Sequence, residues 1–141
     1  MKIPLSTPKK KRRRRKKARK GHYQRGTYIS PTAGECKYRS GWEQKVMIYL
    51  DSNPDVESWT YEQTVIEYVS NLRTKKVRRY FPDFFVKWRD GHSELIEVKP
   101  RRRMEQLVVR KKAEAARRWC EERGMTYRIL SEIELKDMGL L

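Results

Sequence analysis

The chain has few of the residues that build disulfide frameworks and zinc sites, since its 141 residues include two cysteines and two histidines. Cys36 and Cys120 are too few for a disulfide scaffold or a four-thiolate zinc site, and His22 and His92 lack ligand spacing. No apolar run approaches the roughly 18 residues that cross a bilayer, and no hydrophobic stretch follows the first five residues. We therefore expect a soluble, unsecreted protein of a reducing compartment, without a membrane partner.

Acidic residues are absent from residues 1–29, which hold 13 of the 35 lysines and arginines. Residues 30–141 contain 22 basic and 18 acidic side chains, so most of the net charge of +17 lies in the first segment. Residues 8–20 read PKKKRRRRKKARK, a run of like charges that repel one another and cannot pack. This pattern predicts a disordered basic arm over 1–35, with Ser30-Pro31-Thr32-Ala33-Gly34 as its junction to a folded domain over 36–141.

The basic arm indicates a polyanionic partner, and nucleic acid is favoured over a membrane surface because no basic amphipathic helix heads the chain. Arg12, Arg13, Arg14 and Arg15 are its candidate phosphate contacts. The same composition is typical of a solubilising tail, and in a eukaryotic source it would also serve as a nuclear-localisation signal. Composition alone does not separate these three uses.

Hydrophobic periodicity over the rest of the chain predicts an α/β domain whose elements follow the order helix, three strands, helix, strand, helix. Ser40 and Glu43 have capping-box spacing at the first helix, and Ser131 and Glu134 repeat it at the last one. The expected elements are a helix over 40–53, an extended run over 58–69 with a break near 62–63, a second run over 77–88 interrupted at Pro82, a strand over 94–99, a helix over 104–123, a strand over 125–130 and a helix ending near 138.

One group of ionisable residues lies where the sequence is otherwise apolar. Asp83 is followed after thirteen residues by Glu97, and Lys99 lies two residues further along the same strand. Side chains alternate on a strand, so Glu97 and Lys99 project to one face, and the Asp90-Gly91 turn folds their strand back beside Asp83. Charges among apolar strands cost several kcal/mol unless they are paired or bind an ion, which favours a functional site.

Carboxylates in this arrangement suit a divalent metal. Mg²⁺ prefers oxygen ligands, and Asp83, Glu97 and the backbone carbonyl of Val98 can supply them. Glu43 on the first helix could add a metal carboxylate, although its capping-box position also explains it. We expect Mg²⁺ as the cofactor, with Mn²⁺ able to substitute, and we expect Lys99 to orient or activate water at a phosphate. The structural alternative is a salt-bridge cluster on a solvated sheet face.

Basic side chains cluster at the ends of the strands that hold these acidic residues. Arg101, Arg102 and Arg103 directly follow the strand of Glu97, so we expect them to contact DNA. Lys75, Lys76 and Arg78 lie beside the strand that leads to Asp83 and are further candidates. We read Glu62 and Glu67 as surface strand residues. None of these placements indicates base recognition.

The chain resembles the PD-(D/E)xK nuclease superfamily in these residues and in its order of elements, and this resemblance implies a restriction-endonuclease-like core with a mixed β-sheet flanked by helices. Within that superfamily, five segments are similar to the head-completion nucleases of T-even-type tailed phages. These segments are Tyr38-Arg39-Ser40-Gly41-Trp42-Glu43, Leu50-Asp51-Ser52-Asn53-Pro54, Arg78-Arg79-Tyr80-Phe81-Pro82-Asp83, Ile96-Glu97-Val98-Lys99-Pro100 and Arg128-Ile129-Leu130-Ser131-Glu132. The set of Glu43, Asp83, Glu97 and Lys99 also resembles the endonuclease subunit of heteromeric transposases, and Gln63 fits that pattern better.

Either resemblance implies metal-dependent hydrolysis of DNA phosphodiester bonds, with Glu43, Asp83 and Glu97 as metal carboxylates and Lys99 as the catalytic lysine. The phage resemblance further implies a role in finishing filled heads, contact with portal or head proteins, and location in the infected bacterial cytoplasm or the virion. The alternatives are a transposase-type endonuclease subunit and a non-catalytic DNA-binding or head-assembly protein that keeps the fold.

Overall fold

The computed structural model describes residues 24–141, so the residues of the basic arm from 1 to 23, including 12–15, lie outside the described part. Eight strands and three α-helices follow one another, with one short 3₁₀ helix over Arg101–Arg103. They are β1 (Gly26–Ser30), β2 (Gly34–Tyr38), α1 (Gly41–Ser52), β3 (Val56–Tyr61), β4 (Ile66–Asn71), β5 (Lys76–Tyr80), β6 (Phe84–Trp88), β7 (Ser93–Val98), α2 (Leu107–Glu122), β8 (Thr126–Leu130) and α3 (Glu132–Asp137).

The central sheet has four strands in the order β3-β6-β7-β8. The first three strands are antiparallel, whereas β8 runs parallel to β7. A parallel neighbour requires a crossover connection, and α2 supplies it. The predicted succession of helix, three core strands, helix and strand is therefore confirmed, and the architecture is a mixed sheet flanked by helices with a restriction-endonuclease-like fold.

Each of the two predicted extended runs divides into two strands. The run over 58–69 divides near residue 62 into β3 and β4, and the run over 77–88 divides at Pro82 into β5 and β6, at the interruptions that the sequence indicated. Glu62 adopts a left-handed backbone conformation with φ of 52°, which ends β3, and Pro82 separates β5 from β6. The intervening strands β4 and β5 pair only with each other among the described strands. They form a hairpin that lies between β3 and β6 in the sequence, although β3 and β6 are direct neighbours in the central sheet. Lys111 of α2 holds this hairpin through a bond from its Nζ to the Ser70 carbonyl at 2.7 Å.

Strands β1 and β2 form a second hairpin over residues that the sequence assigned to the disordered arm, so that prediction is wrong for residues 26–35. The expected junction over 30–34 is the turn of this hairpin. Asp51 on α1 anchors the hairpin because its carboxylate accepts bonds from Tyr28 Oη at 2.6 Å and Ser30 Oγ at 2.9 Å. Trp59 on β3 donates its indole N–H to the same carboxylate at 2.8 Å. A half-buried acceptor with three donors offsets part of the entropy of ordering this segment.

Buried side chains form two clusters, one on each face of the central sheet. The first lies between the sheet and α1, with Met47 packed near Trp59 and Phe84. The second lies between Leu95 of β7 and Ala116 of α2. The two cysteines, Cys36 and Cys120, are buried and free, and they lie in different clusters. No helix within residues 24–141 is long and apolar enough to cross a membrane.

The helix predicted over 104–123 begins three residues later, because the chain first forms the 3₁₀ turn over Arg101–Arg103. On this helix Val109 packs inward, whereas its neighbour Val108 is 46% exposed. The helix ends before Gly124, whose φ of 66° is a left-handed conformation typical of a helix C-terminus.

Candidate active site

The turn after β6 places the predicted acidic residues together. Asp90 and Gly91 reverse the chain, and β7 pairs antiparallel with β6 so that Phe84 lies opposite Ile96. This register brings Asp83, just before β6, next to Glu97. The Asp83 amide N–H donates to Glu97 Oε1 at 3.3 Å, and the Val98 amide N–H donates to Asp83 Oδ2 at 2.7 Å. The hairpin predicted from the sequence is therefore present, with its turn at Asp90 and Gly91.

Asp83 is a buried carboxylate next to two others. Its exposed fraction is 9%, and the fractions of Glu43 and Glu97 are 7% and 8%. Burial raises the pKa of Asp83 well above its usual value, and the charges of Glu97 and Glu43 raise it further. The bond from the Val98 amide and the charge of Lys99 oppose this rise. Such mutual repulsion in a buried site is relieved by a proton or by a cation.

Glu43 lies in the first turn of α1, which begins at Gly41, and its two carboxylate oxygens have different partners. Ser40 accepts from the Glu43 amide at 3.2 Å and donates its own hydroxyl to Glu43 Oε2 at 3.0 Å. The other oxygen, Oε1, accepts from Tyr61 Oη at 2.5 Å. Burial followed by the bond to Glu43 raises the pKa of Tyr61, so this hydroxyl stays a donor. The cap therefore fixes the rotamer of Glu43 and leaves the carboxylate directed at the site.

Glu62 joins this site, although the sequence suggested a surface strand residue. One carboxylate oxygen each from Glu43, Glu62 and Asp83 lie within 4.8 Å of one another. Burial is the main cause that raises the pKa of Glu62, and Arg39 opposes the rise with an ion pair at 3.2 Å. The turn that places Glu62 here follows β3, and only its left-handed φ marks it. A break in a strand pattern at an acidic residue was the one signal that the sequence offered.

Glu97 has a different set of neighbours from the other three carboxylates. Its Oε1 accepts from Tyr80 Oη at 2.8 Å, and its Oε2 lies 3.6 Å from Lys99 Nζ. Burial raises the pKa of Glu97, and the charge of Lys99 is the largest effect that opposes the rise. Tyr80 is within 3.0 Å of Tyr127 Oη, and burial raises the pKa of both phenols. Glu97 is thus held by a neutral donor on one side and a lysine on the other.

A cavity of about 360 Å³ contains all four predicted catalytic residues, Glu43, Asp83, Glu97 and Lys99, and Val98 also lines it. The same cavity contains cationic side chains from several elements. Arg103 is there as predicted. Arg39, Arg79 and Lys112 are also there, and the sequence did not single them out for this site.

Lys112 comes from α2, on the sheet face opposite α1. Its Nζ lies 5.5 Å from the centre of the Tyr80 ring, and its side chain is half-buried. Burial lowers the pKa of Lys112, and the charge of Lys99 lowers it further while Glu97 opposes. Among residues 24–141, neither Lys112 nor Arg103 has a carboxylate within ion-pairing distance. Two cations without acidic partners in a cavity rich in carboxylates suit an anionic substrate.

The other predicted DNA contacts within residues 24–141 are not among the residues that line this cavity. Lys75, Lys76 and Arg78 are exposed on the β4–β5 hairpin, where strand alternation turns Arg79 rather than Arg78 toward the carboxylates. Arg101 and Arg102 are exposed on the 3₁₀ helix.

Gln63 is also exposed and is not among the residues that line the cavity of the carboxylates. Its amide lies 3.4 Å from the Tyr61 carbonyl, a long hydrogen bond. The structure therefore gives Gln63 no contact with the four predicted catalytic residues.

The donor set fits a divalent cation. Carboxylate oxygens are the ligands that Mg²⁺ and Mn²⁺ take, and the buried Asp83 carboxylate lies beside others whose negative charges raise its pKa. No histidine or cysteine enters the group within the described residues, so the site differs from zinc sites built on nitrogen and sulfur. Glu43, Glu62, Asp83 and Glu97 are the residues that could hold the ion.

The fold and the arrangement of these side chains define a nuclease domain of the PD-(D/E)xK type. A helix supplies one glutamate, and a strand hairpin supplies Asp83, Glu97 and Lys99.

Comparison with known proteins agrees with this class. The family described as TnsA-like endonuclease N terminal matches residues 53–132, a range that includes Glu62, Asp83, Glu97 and Lys99 but not Glu43. The head completion nuclease of Enterobacteria phage T4 is 34% identical over 136 residues, which covers 79% of this chain and 90% of that protein. The chain belongs to the TnsA-like endonuclease family, and its relatives are nucleases.

Proposed function

We propose that this protein is a Mg²⁺-dependent DNA endonuclease in which Mn²⁺ can substitute. The observation that supports it most is the group of carboxylate oxygens from Glu43, Glu62 and Asp83 within 4.8 Å of one another, in the same cavity as Lys99. A salt-bridge cluster on a solvated face, the structural alternative, is disfavoured because Asp83 and Glu97 are buried. Within residues 24–141 the ion pair between Lys99 and Glu97 is the one that either carboxylate makes.

Four carboxylates and one carbonyl are the proposed ligands of the cation. Asp83 and Glu97 are the main ones, with the Val98 carbonyl as an additional oxygen and Glu43 from α1. Glu62 extends the set that the sequence indicated. When bound, the ion supplies Lewis acidity that lowers the pKa of water and neutralises charge on the phosphate.

The protein's own residues supply position and proton handling. Glu97 holds Lys99 at 3.6 Å, and Tyr80 fixes the opposite oxygen of Glu97, so Lys99 is kept at the cavity wall. We assign to Lys99 the orientation of the attacking water and contact with the scissile phosphate. Lys112 and Arg103 face the same cavity and would bind nonbridging phosphate oxygens, which become more negative in the transition state.

DNA beyond the scissile phosphate would be held by the outer basic residues. Lys75, Lys76 and Arg78 form one exposed group on the β4–β5 hairpin, and Arg101 and Arg102 form another beside Arg103. The arginines of the basic arm, Arg12, Arg13, Arg14 and Arg15, would add further phosphate contacts. Contacts of this kind fix position on DNA and read no bases.

We further propose that the protein acts in phage head completion, with portal or head proteins as partners, in the infected bacterial cytoplasm or the virion. The similarity to a head completion nuclease over 90% of that protein supports this role. The match to the TnsA-like family supports the endonuclease activity and is shared with the transposase-type alternative.

Cleavage of supercoiled plasmid tests the activity. We expect nicked or linear product with Mg²⁺ or Mn²⁺, none with EDTA, and none from Asp83→Asn or Lys99→Met. Asp137→Asn, a change of the same type at an exposed position on α3, is the matched control and should cut like the wild type. Equal cutting by the wild type and both site variants, with folding verified by circular dichroism, would refute the proposal.

A further inference from the structure

A second cavity lies beside the active site, against the β1–β2 hairpin. Its volume is about 660 Å³, and Arg39 and Glu62 line both it and the cavity of the carboxylates. We call it the hairpin groove. Because the two cavities share a pair of wall residues, a polymer bound at the carboxylates can continue into the hairpin groove.

The hairpin groove is lined by side chains that suit a sugar–phosphate backbone. Arg25 and Lys37 are exposed cations, and the strand register places Thr27 directly opposite Lys37. Gln63, which has no contact with the carboxylates, also lines this groove. Cations together with hydroxyl and amide donors are the common partners of DNA phosphates and sugars.

The hairpin presents these groups on a fixed backbone. Gly26 packs so closely against Tyr38 that an added Cβ would lie 2.1 Å from its hydroxyl oxygen, so a larger residue there would displace the Tyr38 ring. The bonds from Tyr28 and Ser30 to Asp51 tie the same strands to α1, the helix that begins near Glu43. A change in position of the hairpin relative to the active site would break these contacts.

The hairpin groove lies between the basic arm, which leads into it at Arg25, and the cations of the active-site cavity, which it meets at Arg39. Twelve of the lysines and arginines in residues 1–29 precede Arg25, which lines the groove. At the other end, Arg39 lies between the groove and the carboxylates. Its guanidinium is paired with Glu62 at 3.2 Å but is 67% exposed, so it can exchange that partner for a phosphate.

We propose that the hairpin groove binds the DNA backbone next to the scissile phosphate, with Arg25 and Lys37 as phosphate contacts and Arg39 at the entrance to the active site. This inference rests on the proposed function and adds the path that the DNA takes out of the active site. Glu35 is the one acidic side chain of the groove that the active site does not share. Its negative charge opposes the binding of DNA in the groove, so removing that charge should strengthen binding, whereas removing the groove cations should weaken it.

The test compares two double variants of the full chain that lose the same charge. Arg25→Gln with Lys37→Gln removes the groove cations, and Lys87→Gln with Lys136→Gln removes two exposed lysines from β6 and α3. Affinity for a fluorescent duplex is measured in EDTA over a range of salt concentrations, so no cutting interferes. Loss of two phosphate contacts should flatten the slope of log affinity against log salt by about 1.8, and the control should match the wild type.

Two further measurements separate the groove from the active site. In plasmid cutting, the groove variant should raise KM and leave kcat within about twofold. Glu35→Gln should tighten duplex binding. A groove variant with the slope and KM of the control, at equal thermal stability, would overturn the inference. If the wild type binds DNA but never cuts it, the proposed function is refuted, and the salt dependence of binding alone decides whether the groove contacts DNA. If the wild type binds no DNA, both proposals are overturned.

Discussion

The amide N–H of Glu62 donates to the main-chain carbonyl of Asp83 at 2.9 Å. This bond joins the residue after β3 to the residue before β6, at the edge of the sheet where the two strands end. It places two acidic residues side by side, and their carboxylates then lie with that of Glu43. The inserted β4–β5 hairpin connects these two points, so the insertion extends outward without separating the residues of the site.

Glu62 should therefore contribute to cation binding. We expect Glu62→Gln to raise the Mg²⁺ concentration for half-maximal cutting by about tenfold, because one carboxylate of the group loses its charge. Titration calorimetry with Mn²⁺ on the full chain measures the same loss without turnover. Glu67→Gln, at an exposed glutamate on β4, is the matched control. An unchanged Mg²⁺ requirement in Glu62→Gln would remove this residue from the metal set.

Tyr80 should act as a positioning residue through Glu97. Tyr80→Phe removes the donor to Glu97 Oε1, and we expect kcat to fall about tenfold with little change in KM. The free energy of unfolding should fall by about 1 kcal/mol, since the buried Glu97 Oε1 loses its hydroxyl donor and keeps the Asp83 amide. Tyr127→Phe is the comparison, because its hydroxyl contacts Tyr80 and makes no hydrogen bond to Glu97. Equal kcat in both variants would contradict a positioning role.

Lys112 should stabilise charge on the transferred phosphate. We expect Lys112→Met to lower kcat/KM about a hundredfold, with partial recovery in Lys112→Arg because the charge is kept and the geometry differs. Steady-state kinetics on a short duplex measures both. Arg118→Met, on the same helix and 68% exposed, controls for loss of one positive charge. Activity of Lys112→Met equal to that of Arg118→Met would argue against the assignment.

The contact between Tyr28 and Asp51 should make part of the stability sensitive to alkaline pH. Burial, the bond to Asp51 and its charge raise the pKa of Tyr28 from 10.0 to about 12. A raised folded-state pKa means that this contribution is complete below pH 10 and is lost as the pH rises toward 12. The stability difference between the wild type and Tyr28→Phe in urea should therefore shrink over that range. Tyr49→Phe, which lacks a carboxylate partner in the described residues, should show no such trend.

The sequence predicted the part of the site that depends on short-range geometry. Asp83, Glu97 and Lys99 belong to one hairpin, so strand alternation and the Asp90-Gly91 turn were enough to bring them together. The capping box of α3 was equally local, and it is present between Ser131 and Glu134.

The sequence misjudged residues whose role depends on distant partners. Residues 26–35 read as an arm because their anchor, Asp51, is more than twenty positions away in the chain. Glu62 read as a surface residue for the same reason, since its neighbours Glu43 and Asp83 come from other elements. Composition and periodicity describe a segment and its immediate neighbours, and they contain no information about which segments meet.

The sequence by itself determined the order of the core elements, the concentration of charge in the first 29 residues and the hairpin that brings Asp83 beside Glu97, because each follows from periodicity, charge or turn chemistry within a short stretch. Only the tertiary structure decided which cations face the carboxylates and that the β1–β2 hairpin borders the site. Lys112 and Arg39 reach the cavity from α2 and from the end of β2. Packing of the helices and hairpins against the sheet sets those approaches, and such long-range contacts depend on the whole folded chain.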